Sequence, residues 1–313
     1  MSVELVVPSN TASRWPDDDQ WVRHILGDDG GISAAWGKSP MLLKEAGLPD
    51  SIPGVAELLR TPLLRPPYVT VLVDGVVVPN TRFCHPERII NIAPTEHVVD
   101  AALLADLLAS GASVKFNRME LWSPPIRGLA ERFALACGKQ VKVWGFLSPH
   151  AQMLVPVHRD PAHVLAVQLE GDKHWTLGGP CPAERWSVMD QLTVDEPEAL
   201  VLERGDVLYM PYGYAHCAAA ATASSFHISF ALEGTTAGEL RQRLLKAVAD
   251  GVDGLDATEV REDNIAQIID AVCHTLGDVS ERAFNLASAD AQAIYGGRAA
   301  GVFDKLLQGG SVT

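Results

Sequence analysis

The sequence predicts an α+β fold in which an antiparallel β-barrel is preceded by helices and followed by a helical region. Three observations point there. Between residues 140 and 232, short apolar segments recur between Gly, Pro and Asp turn signals: a strand opens at 140–147 and continues through 156, followed by 164–169, 173–178, 199–202, 207–210 and 226–232. Before them, 96–108 and 124–137 carry apolar residues at helical spacing. After Glu233-Gly234 the β pattern is lost, and two helical stripes take over, Leu240, Leu244, Leu245 and Val248, then Ile265, Ile268, Ile269 and Val272.

Taken in order, residues 1–17 lack periodicity and read as a loose lead ending in a helix cap within Pro16-Asp-Asp-Asp19. A helix is expected over 19–26, closed by a Gly-Asp-Asp-Gly-Gly turn, and another over 52–59 with Ser51 as N-cap and Pro53 in its first turn. Residues 68–78 read as a hairpin around Asp74-Gly75. The helix over 96–108 presents Val98, Ala102, Leu103, Leu107 and Leu108 and ends at Gly111; residues 113–117 form a strand. Pro124 and Pro125 open a helix that runs to Cys137, ends at Gly138, and turns Ile126, Leu129, Phe133 and Leu135 toward the barrel. Trp122, Trp144, Trp175 and Trp186 read as core or rim packing rather than substrate platforms. The organisation expected is a lead over 1–17, a barrel with its helices over 18–234, and a helical region over 235–313.

Composition narrows the function. With 47% hydrophobic residues, 313 residues can bury a substantial core. No apolar run approaches the roughly 20 residues of a membrane span, and the N-terminus lacks a basic-then-apolar signal pattern, so no membrane association and a cytoplasmic location are expected. Five cysteines without a C-x-x-C pair argue against a disulfide framework or a zinc knuckle. A formal charge of −14, with no Lys/Arg cluster, disfavours nucleic acid and favours encounter with a basic protein or peptide.

The chemistry concentrates in two segments. In Val155-Pro-Val-His158-Arg-Asp160, the histidine and carboxylate stand two apart on an extended chain, so both project from one face. Gly205-Asp-Val-Leu-Tyr-Met-Pro211-Tyr-Gly213-Tyr-Ala-His216 is a short strand, a Pro/Gly turn and a returning histidine. An isolated H-x-D could be a His and an Asp on a surface turn. Joined to the second segment, it supplies two imidazoles and one carboxylate, the facial set that holds non-haem Fe(II) and leaves coordination positions open. His163 and His174 alternate away from the site, and Cys217, next to His216, faces the other side of its strand.

These segments, with Gln168-Leu-Glu-Gly171, Lys173 and Trp175, resemble the JmjC branch of the cupin superfamily, above all its ribosomal oxygenases. Trp36-Gly-Lys-Ser-Pro-Met-Leu-Leu-Lys44 and Leu121-Trp-Ser-Pro-Pro-Ile-Arg-Gly-Leu129 extend the resemblance to roughly residues 18–232. It implies a double-stranded β-helix, a jelly-roll barrel, and Fe(II)- and 2-oxoglutarate-dependent hydroxylation of an amino-acid side chain in a protein or peptide, a basic ribosomal protein being one candidate. His158, Asp160 and His216 would hold the metal. Lys173, where the family has Lys or Arg, would hold the distal carboxylate of 2-oxoglutarate, and His227 and Ser229 would line the pocket or serve as satisfied core polar groups. The region after 235 would form a homodimer; a helical bundle fits its length, whereas a dimerisation region plus a winged helix would be tight. Trp144 stands where the ribosomal oxygenases tend to have a polar residue, typically Asn, which points to a different pocket. Other readings are a hydroxylase of a free amino acid or small metabolite, a JmjC-type demethylase, a Zn2+ or Mn2+ cupin enzyme, and a non-catalytic metal-binding cupin module.

Overall fold

The computed structural model describes residues 3–6, 14–27, 30–85, 88–90, 93–95, 97–149, 155–180, 197–221 and 224–234, with 242, 266–267 and 269–270. Before the barrel come strands β1 Glu4–Val6, β2 Arg14–Trp15, β3 Met41–Leu43, β4 Leu48–Pro49, β5 Val69–Val73, β6 Val76–Val77, β7 Arg88–Ile90, β8 Ala93–Thr95 and β9 Ser113–Phe116. The barrel strands are β10 Gln140–Ser148, β11 His158–Arg159, β12 His163–Glu170, β13 Lys173–Leu177, β14 Glu198–Leu202, β15 Val207–Met210, β16 Ala215–Ala220 and β17 Ser225–Glu233. Among the described residues the α-helices that accompany them are α1 Asp18–Leu26, α2 Val55–Leu59, α3 Ala101–Ala109 and α4 Pro124–Cys137.

Two sheets face each other. The larger runs β1-β3-β15-β12-β17-β10-β9-β5-β6 and the smaller β11-β16-β13-β14. Alternation decides what lies between them. On β13, Lys173, Trp175 and Leu177 are buried while His174 is exposed. Trp175, Leu177 and Leu202 from the small sheet meet Leu42, Val164, Ala166, Leu208 and Met210 from the large one. Each large apolar side chain buried there contributes on the order of 1.5–3 kcal/mol. One compact unit comprises Met1–Phe133 and Val141–Leu232, and it contains the candidate site.

The expected elements before the barrel mostly form, with differences that have local causes. Two short strands lie within the segment read as a loose lead: β1 pairs parallel with β3, and β2 with β4. Asp17 caps α1, its carboxylate accepting from the Asp19 and Gln20 amides at 2.8 and 3.3 Å. Ser51 does not cap α2. Its hydroxyl bonds Asp18 at 2.7 Å, and the Val55 amide at the helix start donates to Glu170 instead, at 3.0 Å. The helix expected from 96 begins only at Ala101, capped by Asp100, because the two residues before it are held extended. The Val98 carbonyl accepts from the His85 amide, and the Val99 amide donates to Leu64, both at 2.8 Å. Asp74 and Gly75, at φ of 50° and 76°, close the hairpin between Val73 and Val76. On α4, Ile126, Leu129 and Phe133 are buried, whereas Leu135, two positions off that stripe, is exposed.

Among the described residues no helix is long and apolar enough to cross a membrane. The helical reading of 235–313 falls almost wholly outside the described residues, of which Gln242, Ala266, Gln267, Ile269 and Asp270 are helical.

Candidate metal centre

Extended backbone brings the two sequence segments together. β11 pairs antiparallel with β16 so that His158 stands directly opposite His216, their ring centroids 4.3 Å apart. The sequence gives no sign of β16, because Ala215–Ala220 is mostly alanine and lacks the β-branched residues that mark a strand. The turn that delivers it matches expectation: Gly213 has φ 72°, and the Tyr214 amide donates to Pro211 at 3.2 Å. Arg159, between His158 and Asp160 in sequence, is buried on the opposite side and donates to the Gly179 and Gly213 carbonyls at 2.9 and 2.7 Å. It pins the H-x-D segment to the Pro/Gly turn, and the Gly213 amide returns a bond to the Asp160 carbonyl at 3.0 Å.

His158, Asp160 and His216 offer ligand atoms that all lie within 4.8 Å of one another. The Asp160 carboxylate is 3.8 Å from His158 Nε2 and 3.5 Å from His216 Nε2. Both imidazoles have their other nitrogen beside a backbone carbonyl, His158 Nδ1 2.8 Å from Pro156 O and His216 Nδ1 2.9 Å from Tyr214 O. A carbonyl only accepts, so each Nδ1 carries a proton and each Nε2 is the nitrogen turned toward Asp160, the one a metal ion would take. Burial pushes His216 down to about 4, helped by the neighbouring His158, so its imidazole is neutral near pH 7. The side chains of His158 and Asp160 are 24% and 37% exposed against 6% for His216, which leaves one flank of the triad open.

Lys173 opens β13 after a tight turn at Gly171, φ 61°, where a Cβ would come within 2.3 Å of the Ser224 carbonyl. Its side chain points into the barrel and is 1% exposed. The ammonium is 2.9 Å from His227 Nδ1, 3.3 Å from Ser148 Oγ and 3.4 Å from the Phe146 carbonyl. Burial pushes its pKa from 10.5 down to about 7, and burial, then the Lys173 charge, holds His227 well below the usual histidine range. His227 is thus the neutral acceptor of the pair, stacked on Phe146 at 4.9 Å. Ser229 is buried on the same inner face of β17, opposite Ala166. Between the triad and the lysine, the Trp175 ring lies 5.9 Å from His216 and 5.2 Å from His227, and its buried Nε1–H makes no hydrogen bond.

The Lys173 shift has a consequence for stability. A base whose folded pKa lies below its unfolded value destabilises the fold fully below about pH 7, and the penalty fades as pH rises toward 10.5. Urea denaturation of Lys173→Met against wild type across this range should show the variant's relative stability greatest below pH 7 and declining steadily above it.

The other residues singled out in the sequence fall elsewhere. His163 is not in the triad; it stacks on Trp36 at 4.4 Å and bonds Tyr209 Oη at 2.9 Å, so the tryptophan motif packs against β12 and β15. His174 is exposed, and Cys217 is buried opposite Thr176. Trp144 is half-buried, and Trp186 lies outside the described residues. Sequence reasoning passes over Arg159, Phe146 and Lys115; the last is the lysine inside a strand whose other residues are all buried.

A barrel of two facing sheets that carries a His/Asp/His set has the double-stranded β-helix architecture. Comparison with known proteins narrows it: residues 125–240 match the model of the JmjC domain family. Ribosomal oxygenase 1 of Danio rerio is 26% identical over 262 residues, covering 79% of this chain and 46% of that protein. Ribosomal oxygenase 2 of Mus musculus is 29% identical over 108 residues, 34% of this chain and 23% of that one. The chain therefore spans less than half the length of these curated relatives. The Escherichia coli ribosomal oxygenase YcfD shares the fold, with a TM-score of 0.50 at 19% identity over 79% of this chain and 65% of that one. A structure of YcfD with cobalt and 2-oxoglutarate gives 0.51 at 18% identity over 78% and 64%.

Proposed function

We propose that this protein is an Fe(II)- and 2-oxoglutarate-dependent oxygenase that hydroxylates an amino-acid side chain in a protein or peptide. The observation that carries the reading is the pairing of a His/Asp/His set, both Nε2 atoms free, with a buried lysine on the same barrel interior. The donor set suits Fe(II): two neutral nitrogens and one carboxylate on one face leave positions for a chelating 2-oxo acid and O2. The orphaned Trp175 Nε1–H between triad and lysine suits an acceptor on a bound molecule. When bound, iron and 2-oxoglutarate supply O2 activation, one oxygen atom going to succinate as CO2 leaves and the other into a substrate C–H bond. His158, Asp160 and His216 hold the ion, Lys173 takes the distal carboxylate, and the apolar barrel excludes water from that end. His227 supports Lys173 by accepting its hydrogen bond, and Ser229 lines the same wall.

The relatives' names and the −14 charge both favour a basic ribosomal protein as substrate, and the charge disfavours nucleic acid as a partner; a cytoplasmic enzyme is part of the same proposal. Incubation with Fe(II), 2-oxoglutarate and, in separate reactions, ribosomal proteins, cell-derived peptides or free amino acids tests this by mass spectrometry. The expected product is a macromolecule one oxygen atom heavier. Oxygen gained only by free amino acids identifies a small-molecule hydroxylase, and loss of methyl groups from methylated peptides a demethylase.

The apolar stripes at Leu240–Val248 and Ile265–Val272 support a homodimer through the region after residue 235. Sedimentation velocity should give a dimer; a monomer at every concentration contradicts it.

A further inference from the structure

A second lysine faces the same barrel interior. Lys115, on β9, stands directly opposite Phe146 of β10, and direct antiparallel partners project from one side of a sheet. That side is the inner one, since Phe146 stacks on His227. The Lys115 ammonium lies 5.4 Å from the centre of the Phe146 ring and 6.0 Å from that of Trp144. Lys173 reaches the same Phe146 through its carbonyl. The Lys115 side chain is half-buried, and burial lowers its pKa against the opposing pull of the Asp160 charge.

This arrangement changes when a divalent ion enters. Asp160 then gives its charge to the metal, the ion and its three ligands together become net positive, and Lys115 faces like charge in a partly desolvated place. An anion seated on the metal reverses that. We infer that Lys115 is a second carboxylate-binding group: with Lys173 it forms a two-ended cradle in which a dicarboxylic 2-oxo acid passes Phe146, Lys173 holding the distal carboxylate and Lys115 drawing the one at the metal. The inference rests on the Fe(II)/2-oxoglutarate reading above. It also gives Trp144 a part, as an aromatic ring that lies 6.0 Å from the Lys115 ammonium and helps fix its position.

The test uses Mn(II) in place of iron, so that binding is measured without turnover, with 2-oxoglutarate and 2-oxobutyrate as probes in calorimetric titrations. Lys115→Met should bind Mn(II) alone more tightly than wild type, because a repelling charge is gone. With Mn(II) saturating, it should bind both 2-oxo acids more weakly, on the order of tenfold for loss of one charge-assisted contact. Lys115→Arg should restore most of the loss, and Lys173→Met should weaken 2-oxoglutarate but not 2-oxobutyrate, which has no distal carboxylate. A merely structural role for Lys115 moves metal and 2-oxo acid affinity down together, and that result overturns the inference. So does unchanged 2-oxoglutarate affinity in Lys115→Met. Wild type that binds Mn(II) but no 2-oxoglutarate instead removes the reading of the site on which the inference stands.

Discussion

Asp160→Ala should lose metal binding by at least about a hundredfold and 2-oxoglutarate turnover to below detection, since removing a ligand costs more than the 10- to 100-fold typical of a supporting residue. The fold should survive, because the Asp160 side chain is 37% exposed and its backbone carbonyl, not its carboxylate, holds the Gly213 amide. His158→Ala should behave alike. His216→Ala should combine the same loss with a lower Tm, because the ring is buried and its removal leaves a cavity against Trp175 and His158. Equilibrium dialysis with Mn(II), alongside thermal denaturation, separates ligand loss from unfolding. Near-wild-type binding by Asp160→Ala would remove it from the ligand set.

Lys173→Met should act on the cosubstrate rather than on the metal. A charge-assisted bond between a buried ammonium and a carboxylate is worth about 1.5–3 kcal/mol, so KM for 2-oxoglutarate should rise on the order of ten- to a hundredfold. Mn(II) affinity should stay unchanged, because the Lys173 ammonium bonds His227, Ser148 and Phe146 and none of the three ligands. Steady-state kinetics with varied 2-oxoglutarate, set beside a metal titration, reads both quantities. An unchanged KM places the distal-carboxylate anchor on another group.

The gathering of His158, Asp160 and His216 is legible in the sequence because each half is a local pattern. An H-x-D on extended chain projects both side chains from one face, and Pro211 and Gly213 encode the turn before His216. Lys173 is legible because the turn at Gly171 and the alternation along β13 set its direction. What stays hidden is non-local. The three-residue β1 carries no pattern of its own and exists through its parallel register with β3. An apolar helical stripe suggests a start at 96, but bonds from Val98 and Val99 to His85 and Leu64 hold that stretch extended until Asp100 can cap. The buried Asp206, which accepts from Lys44 at 2.6 Å and from the Glu45 and Glu203 amides at 2.9 and 2.8 Å, ties β15 to a loop far away in sequence. Lys115 escapes notice for a related reason: its strand is evident from the sequence, but its meeting with Phe146 depends on the pairing of β9 with β10.

The central claim is that the triad and Lys173 together run 2-oxoglutarate-dependent O2 chemistry. Succinate formation from 2-oxoglutarate by the purified protein reconstituted with Fe(II) tests it most directly, with Asp160→Ala and Lys173→Met measured in parallel. The account predicts succinate that requires both iron and O2, is absent in Asp160→Ala, and is recovered in Lys173→Met only at raised 2-oxoglutarate. Iron bound at the triad with no succinate formed, whether or not ribosomal proteins and peptides are supplied, would contradict it.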